Sequence, residues 1–246
     1  MLLHFLLIKW LPFRWKLSPT VTNEVYNMNI FDIIGPVMVG PSSSHTAGAA
    51  KIGNVCHKLM GEKIEKAEIY LHGSFAKTGK GHGTDKALVA GLVGLDVDDI
   101  RIPNSFEIAK EKGLDFNISA TDLGDAHPNS AKIIMHGTSG AVVEVVAASL
   151  GGGRIEVCQL DGVEVNFSGE CPTLIVHNVD QPGYITEVTS LLGQQGINIA
   201  TMQLHRKNRG GEAVMVIECD DEVPAETRHE LEKQEGILNV SYYSPR

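Results

Sequence analysis

Paired cysteines are missing from this sequence. Its four, Cys56, Cys158, Cys171 and Cys219, are scattered, with no C-x-x-C pair and no histidine at zinc-ligand spacing. That excludes a disulfide framework and a zinc-ribbon type of metal site, and leaves reduced, buried thiols in a cytoplasmic protein as the reading. A basic surplus is missing too. The net charge is −9, so nucleic acid is not expected as a partner, because binding phosphates requires a cationic face. No apolar run is long enough to span a bilayer, and no membrane partner is expected.

What is present is ordinary in bulk: 43% hydrophobic and 21% charged residues over a length of 246, enough for two domains with cores of their own. The opening stretch departs from that pattern. MLLHFLLIKWLPFRWKL holds both tryptophans, and Lys9 and Pro12 interrupt its apolar run. A signal peptide would place its positive charge first and end in small residues. Residues 1–27 are therefore read as an extension ahead of the fold, as from a start codon assigned too early, with a membrane-surface anchor as the alternative.

Two blocks follow. The first, residues 28–169, reads as α+β on a mixed, largely antiparallel sheet. Ser44–Gly61 has helical spacing at Ala49, Ile52, Cys56 and Met60, and Ala67–His72 alternates like a strand. Gly73–Gly83 reads as a long polar loop, and Thr84–Leu95 as a helix with Thr84 and Asp85 at cap positions. Further strands are expected at Ile100–Pro103, Asp115–Ser119, Lys132–His136, Ala141–Ser149, Arg154–Leu160 and Val163–Phe167. The second block, residues 171–246, shows β-α-β-β-α-β order, the ferredoxin-like split unit. Its first helix, Gly183–Gln195, should turn Ile185, Val188, Leu191 and Leu192 inward.

Three loops of the first block concentrate reactive side chains. GPSSSHTAG (Gly40–Gly48) runs into a helix, placing the hydroxyls of Ser43, Ser44 and Thr46 and the imidazole of His45 where helix amides already favour an anion. The plainer alternative is that Ser43 or Ser44 caps the helix, but one serine would suffice for that, and a run of three with a histidine favours a functional role. The stretch His72–Ala87 resembles a phosphate loop only at a glance, because Ser74 and Gly81 break the G-x-x-x-x-G-K-[ST] pattern at both ends. It still carries Lys77, Lys80 and His82 toward a helix start, where they could meet a carboxylate. AHPNS, with His127, reads as a surface turn that gains meaning only if it folds beside the other two. The histidines His45, His72, His82, His127 and His136 also admit a metal-hydrolase reading, although none pair at helical i, i+4 spacing. In the second block, Asp180-Gln181-Pro182-Gly183 marks a strand-to-helix turn where a ligand can approach the backbone closely.

These residues carry two family resemblances. Thr173–Tyr243 resembles an ACT domain, an amino-acid-sensing module. That implies effector binding around Asp180, Gln181, Pro182, Gly183 and Asn198, and side-by-side pairing into a dimer or larger assembly. FDIIGPVMVGPSSSHTAGAAKIG, TGKGHGTDKAL and HPN resemble the β domain of bacterial iron–sulfur-dependent L-serine dehydratases, from about Ile30 to Val165. With the ACT domain behind it, the order is that of the separate β chain of the two-subunit form.

The resemblance implies that an α subunit holds the catalytic domain and its [4Fe–4S] cluster, so no cofactor or metal is assigned to this chain or to its cysteines. The implied reaction takes L-serine to pyruvate and ammonia. A cluster iron acts as Lewis acid on the hydroxyl, and a base takes the Cα proton. Ser43, Ser44, His45 and Thr46 would then face the α subunit's site, with Lys80, His82 and His127 as outer support and His45 as proton carrier. Two rivals stand beside this. One is a stand-alone amino-acid-sensing regulator, and the other is the histidine-based hydrolase.

Overall fold

The computed structural model describes residues 37–206 and 208–245. The extension read over residues 1–27 and most of the apolar opening of the first block lie outside the described residues.

The described chain begins with a π-helical turn, Ser43–Ala47, that runs directly into α1 (Gly48–Met60). Next come β1 (Ile64–Leu71), α2 (Gly73–His82), α3 (Thr84–Leu92), a 3-10 turn at Ile102–Asn104 and α4 (Ser105–Glu111). Strands β2 (Asp115–Ala120), β3 (Ser130–Gly137), β4 (Val142–Gly151), β5 (Arg154–Leu160) and β6 (Val163–Phe167) complete a six-stranded sheet in the order β2-β1-β3-β4-β5-β6. Only the β1–β2 pair in it is parallel. The remaining elements are β7 (Thr173–Val179), α5 (Tyr184–Gln194), β8 (Ile199–Arg206), β9 (Glu212–Cys219), α6 (Ala225–Glu232) and β10 (Ile237–Tyr243). They form an antiparallel sheet β10-β7-β9-β8, as the split β-α-β unit requires.

Helices α1 and α3 cross at backbone contact. A Cβ on Gly53 would run into the Leu88 carbonyl, and one on Gly91 into the Ala50 carbonyl. Only glycine lets the two backbones approach so closely. The second sheet packs α5 and α6 on one face, where Leu174, Val176, Met215 and Ile217 meet Val188 and Leu192. Its other face does not stay open: Ile175, Val214, Val216 and Tyr243 join the same core as Val55 of α1 and Phe167 of β6. The two blocks therefore share one apolar core, and α1 connects the serine-rich turn at its start to the second block beyond its middle.

Four local expectations fail. Gly73–Gly83 is not a loop. Its residues Gly73–His82 form a helix despite three glycines, because Phe75 is fully buried and the Pro128 carbonyl accepts from the amides of Ser74 (2.6 Å) and Phe75. Tertiary contact overrides the weak propensity of glycine. Thr84 does not cap α3. Gly83, in left-handed conformation, holds that position, while Thr84 is buried and donates its hydroxyl to the His45 carbonyl at 2.8 Å. Ile100–Pro103 is a turn leading into the 3-10 segment rather than a strand, with Ile100 84% exposed. Ile185 faces outward at 45% exposure, so the inward face of α5 is Val188, Leu191 and Leu192.

Candidate functional site

The three reactive loops of the first block come together. Ser42, at the cap of the π-helical turn, accepts from the His45 amide at 3.1 Å. Five-residue turns of this kind widen the helix and shift the side chains that follow, a device common at functional sites. Here the turn swings the His45 ring onto α2. Its Nε2 lies 3.0 Å from Ser74 Oγ and 3.1 Å from Thr78 Oγ1. Its Nδ1 lies 3.1 Å from Ser44 Oγ, which is itself 3.3 Å from Ser42 Oγ. The ring packs edge-on against buried Phe75, with centroids 5.4 Å apart, and 5.1 Å from the His82 ring. The AHPNS turn supports this from behind: besides the Pro128 carbonyl on α2, the Asn129 carbonyl accepts from the Ser149 amide. A Cβ on Gly48 would strike the Ser149 side chain, so the serine-rich turn sits directly on β4.

Partial burial and the nearby His82 hold the His45 pKa below its ordinary 6.5, partly offset by a hydrogen bond to Ser74. Near neutral pH the ring is therefore a neutral proton acceptor. Thr46 is buried and donates to the His82 carbonyl at 2.9 Å, which ties the turn to the end of α2. Ser43 contributes its carbonyl, which accepts from the Gly48 amide. Lys80 and His82 lie on the exposed end of α2, and His127 is exposed on its turn, its Nδ1 accepting from the Asn129 amide. Sequence reasoning passed over Ser42, Ser74 and Thr78. Ser74 and Thr78 stand one helical turn apart, but that signal is invisible while the segment is taken for a loop.

Among the described residues no group of three or more His, Cys, Asp or Glu could hold a metal ion. The cysteines do not suit an iron–sulfur cluster, which needs several thiolates converging on one point. Burial pushes the Cys56 thiol well up and the Cys219 thiol up to about 11, and Cys158 and Cys171 are raised as well.

A second polar cluster occupies the β7–α5 turn. The Asp180 carboxylate accepts from the Gly210 amide (2.9 Å) and from Arg206 Nη1 (3.1 Å), which together hold its pKa down. Gly183, at φ 113°, forms the cap of α5. Pro182 precedes it, and the Gln181 amide donates to the Val179 carbonyl. Asn178, only 3% exposed, has its Oδ1 buried without a hydrogen-bond partner among the described residues. Asn198 is not part of this cluster within one chain. Strands β7 and β8 both run antiparallel to β9 and hence parallel to each other. Asn198, just before β8, therefore lies at the opposite end of the sheet from Asp180 and donates to Asp220 instead.

The family model for the serine dehydratase beta chain matches residues 29–113, and that for the ACT domain matches residues 172–236. The probable L-serine dehydratase beta chain of Bacillus subtilis is 43% identical over 213 residues, 87% of this chain and 96% of that protein. The L-serine dehydratase beta chain of Peptoniphilus asaccharolyticus is 42% identical over 191 residues, 77% of this chain and 86% of that protein. A D-3-phosphoglycerate dehydrogenase of Methanocaldococcus jannaschii is 29% identical over 194 residues, but these are only 36% of its length. Two near-full-length relatives, a matching front domain and a matching ACT domain agree, and the chain belongs to the serine dehydratase beta chain family.

Proposed function

We propose that this chain is the β subunit of an L-serine ammonia-lyase that converts L-serine to pyruvate and ammonia in the cytoplasm, together with an α subunit that carries a [4Fe–4S] cluster. The observation that carries the reading is the convergence of two sequence-distant motifs on one half-buried imidazole, His45, with the third motif bracing α2 through the Pro128 carbonyl. The cluster supplies Lewis-acid chemistry at the substrate hydroxyl. This chain's part is the wall that closes over it. The Ser42–Ser44 row and His45 face the α subunit and handle a proton, Thr46 and Ser43 hold the turn in place, and Lys80, His82 and His127 form a polar rim suited to the substrate carboxylate. Co-expression of both chains and anaerobic assay for pyruvate from L-serine tests it. The pair should be active, and this chain alone inactive and colourless. Activity from this chain alone would overturn the subunit assignment.

The domains divide at residues 28–169 and 171–246, and the second is the sensor. Asp180, Gln181, Pro182 and Gly183 form its effector turn, with Asn178 beneath. Asn198, at the far end of the sheet, belongs to such a site only if the turn of a second copy lies beside it, as side-by-side ACT pairing into a dimer would arrange. L-serine, another amino acid or a monovalent cation would suit the site. Replacing Asp180 with alanine releases the Arg206 side chain and the Gly210 amide. Whichever of these ligands raises Tm in the parent should then need a concentration about tenfold higher, the effect of losing one charge-assisted hydrogen bond. Titration of Tm with each compound measures this, and an unchanged response removes Asp180 from the site.

A second reading has one observation behind it. The likeness to D-3-phosphoglycerate dehydrogenases is long enough to include both blocks, so the pair of domains accompanies more than one chemistry, as a sensing unit would. In that case the front block only relays effector binding, and turnover would not depend on His45.

A further inference from the structure

The hydroxyl of Thr78 donates to the Ser74 carbonyl, four residues earlier in α2, at 3.0 Å. A hydroxyl has one hydrogen to give. With that hydrogen on the Ser74 carbonyl, Thr78 Oγ1 offers His45 Nε2 only lone pairs across their 3.1 Å. A hydrogen bond between them therefore needs its hydrogen on Nε2. A neutral imidazole protonated at Nε2 has a bare Nδ1, and the group at Nδ1 is the Ser44 hydroxyl, 3.1 Å away, in position to donate. Ser44 Oγ in turn accepts from Ser42 Oγ, 3.3 Å away, and Ser42 Oγ accepts from the His45 amide. A single direction of hydrogens satisfies the whole row from Ser42 to the Ser74 carbonyl. In the reverse direction Ser74 Oγ, 3.0 Å from Nε2, would be the donor to the ring. The Thr78 oxygen, its own hydrogen still on the carbonyl, would then face a ring nitrogen without a hydrogen across 3.1 Å. With Nε2 protonated, both Thr78 Oγ1 and Ser74 Oγ accept from it, and Ser74 Oγ is free to donate to Thr78 Oγ1, 3.3 Å away. The lowered pKa of His45 keeps the ring in its neutral form, in which the choice between tautomers has chemical consequences.

We infer that Thr78 is a positioning residue that fixes His45 as the Nε2–H tautomer, and so presents Nδ1, beside Ser44, as the basic atom at this edge of the active site. The inference deepens the proposed function and rests on His45 being its proton carrier. Thr78 touches no reacting atom; it acts through the ring, as the third member of a nucleophile–base–orienter row does.

Nitrogen-15 NMR of the full chain with labelled histidine, above pH 7, reads the tautomer directly, with the His45 signals identified by their loss in His45→Gln. The Nε2–H form should outnumber the other about fivefold, which is what one net hydrogen bond supports. Thr78→Val should bring that ratio down toward equality, and Thr78→Ser should restore it. In the two-subunit enzyme Thr78→Val should lower kcat about fivefold with KM unchanged, and Thr78→Ser should recover it. Thr78 is exposed, so the variants fold. A role in helix stability alone would move Tm and leave the ratio in place. A His45 protonated at Nδ1 in the parent chain, or a ratio indifferent to Thr78→Val, overturns the inference. The ratio is read without turnover, so normal turnover in His45→Ala would remove the proposed function while the tautomer assignment is still decided on its own evidence.

Discussion

Replacing His45 with alanine in the assembled two-subunit enzyme should lower kcat by a factor on the order of 10² to 10⁴, the range for loss of a positioned general acid–base. KM for L-serine should change far less. Folding should survive, since the fastening hydrogen bonds of the turn use the His45 backbone rather than its ring: the amide donates to Ser42 and the carbonyl accepts from Thr84. The pH profile gives a second readout. An ordinary histidine is half protonated at pH 6.5, and His45 is held below that by burial and by His82. The acid limb of kcat/KM should therefore lie below pH 6.5. Substituting His82 with glutamine removes a like charge and should move that limb up toward 6.5. Stability follows the same sign. The unfolded chain accepts this proton more readily than the folded one, so His45 contributes a loss of stability as pH falls through 6.5. Normal kcat in His45→Ala, or an acid limb above 6.5, would contradict the role.

Much of this was legible in the sequence. The β-α-β-β-α-β order of the second block comes from alternation and spacing that depend on neighbouring residues. The serine-rich motif and its helix follow from cap chemistry and the burial period of Ala49, Ile52, Cys56 and Met60. What the sequence hides is whatever depends on distant partners. Gly73–His82 lacks a helical signature because its stabilising contacts, the Pro128 carbonyl and the pocket around Phe75, lie over fifty residues away or across the fold. The α4 helix escapes for a similar reason. Its Ser105 is buried and donates to the Lys86 carbonyl, so a residue that reads as turn chemistry is a packing contact. Missing α2 concealed Ser74 and Thr78 as a pair. The likeness of chemistry among the three loops was visible, whereas their convergence required the fold.

The second large effect should come from a residue with no side chain. Gly91 sits where α3 crosses α1, and a Cβ there would meet the Ala50 carbonyl and the Asn54 amide. Those are backbone atoms in the middle of a helix, which cannot swing aside as a side chain end would. Gly91→Val should therefore force α3 off α1, at a cost of about 3 kcal/mol, the upper part of the overpacking range. For a chain of this length that corresponds to a fall in Tm of roughly 6–12 °C. The displacement should reach the site, because α3 begins with Thr84, whose hydroxyl holds the His45 carbonyl. Turnover should fall along with Tm, even at temperatures where Gly91→Val is fully folded. Gly91→Ala should show the same two effects at smaller size, since it adds the clashing Cβ without the branched methyls. Calorimetry and pyruvate assay on the co-purified complex measure both. A Gly91→Val chain with unchanged Tm and turnover would mean that the close crossing of α1 and α3 is not what holds the serine-rich turn against α2.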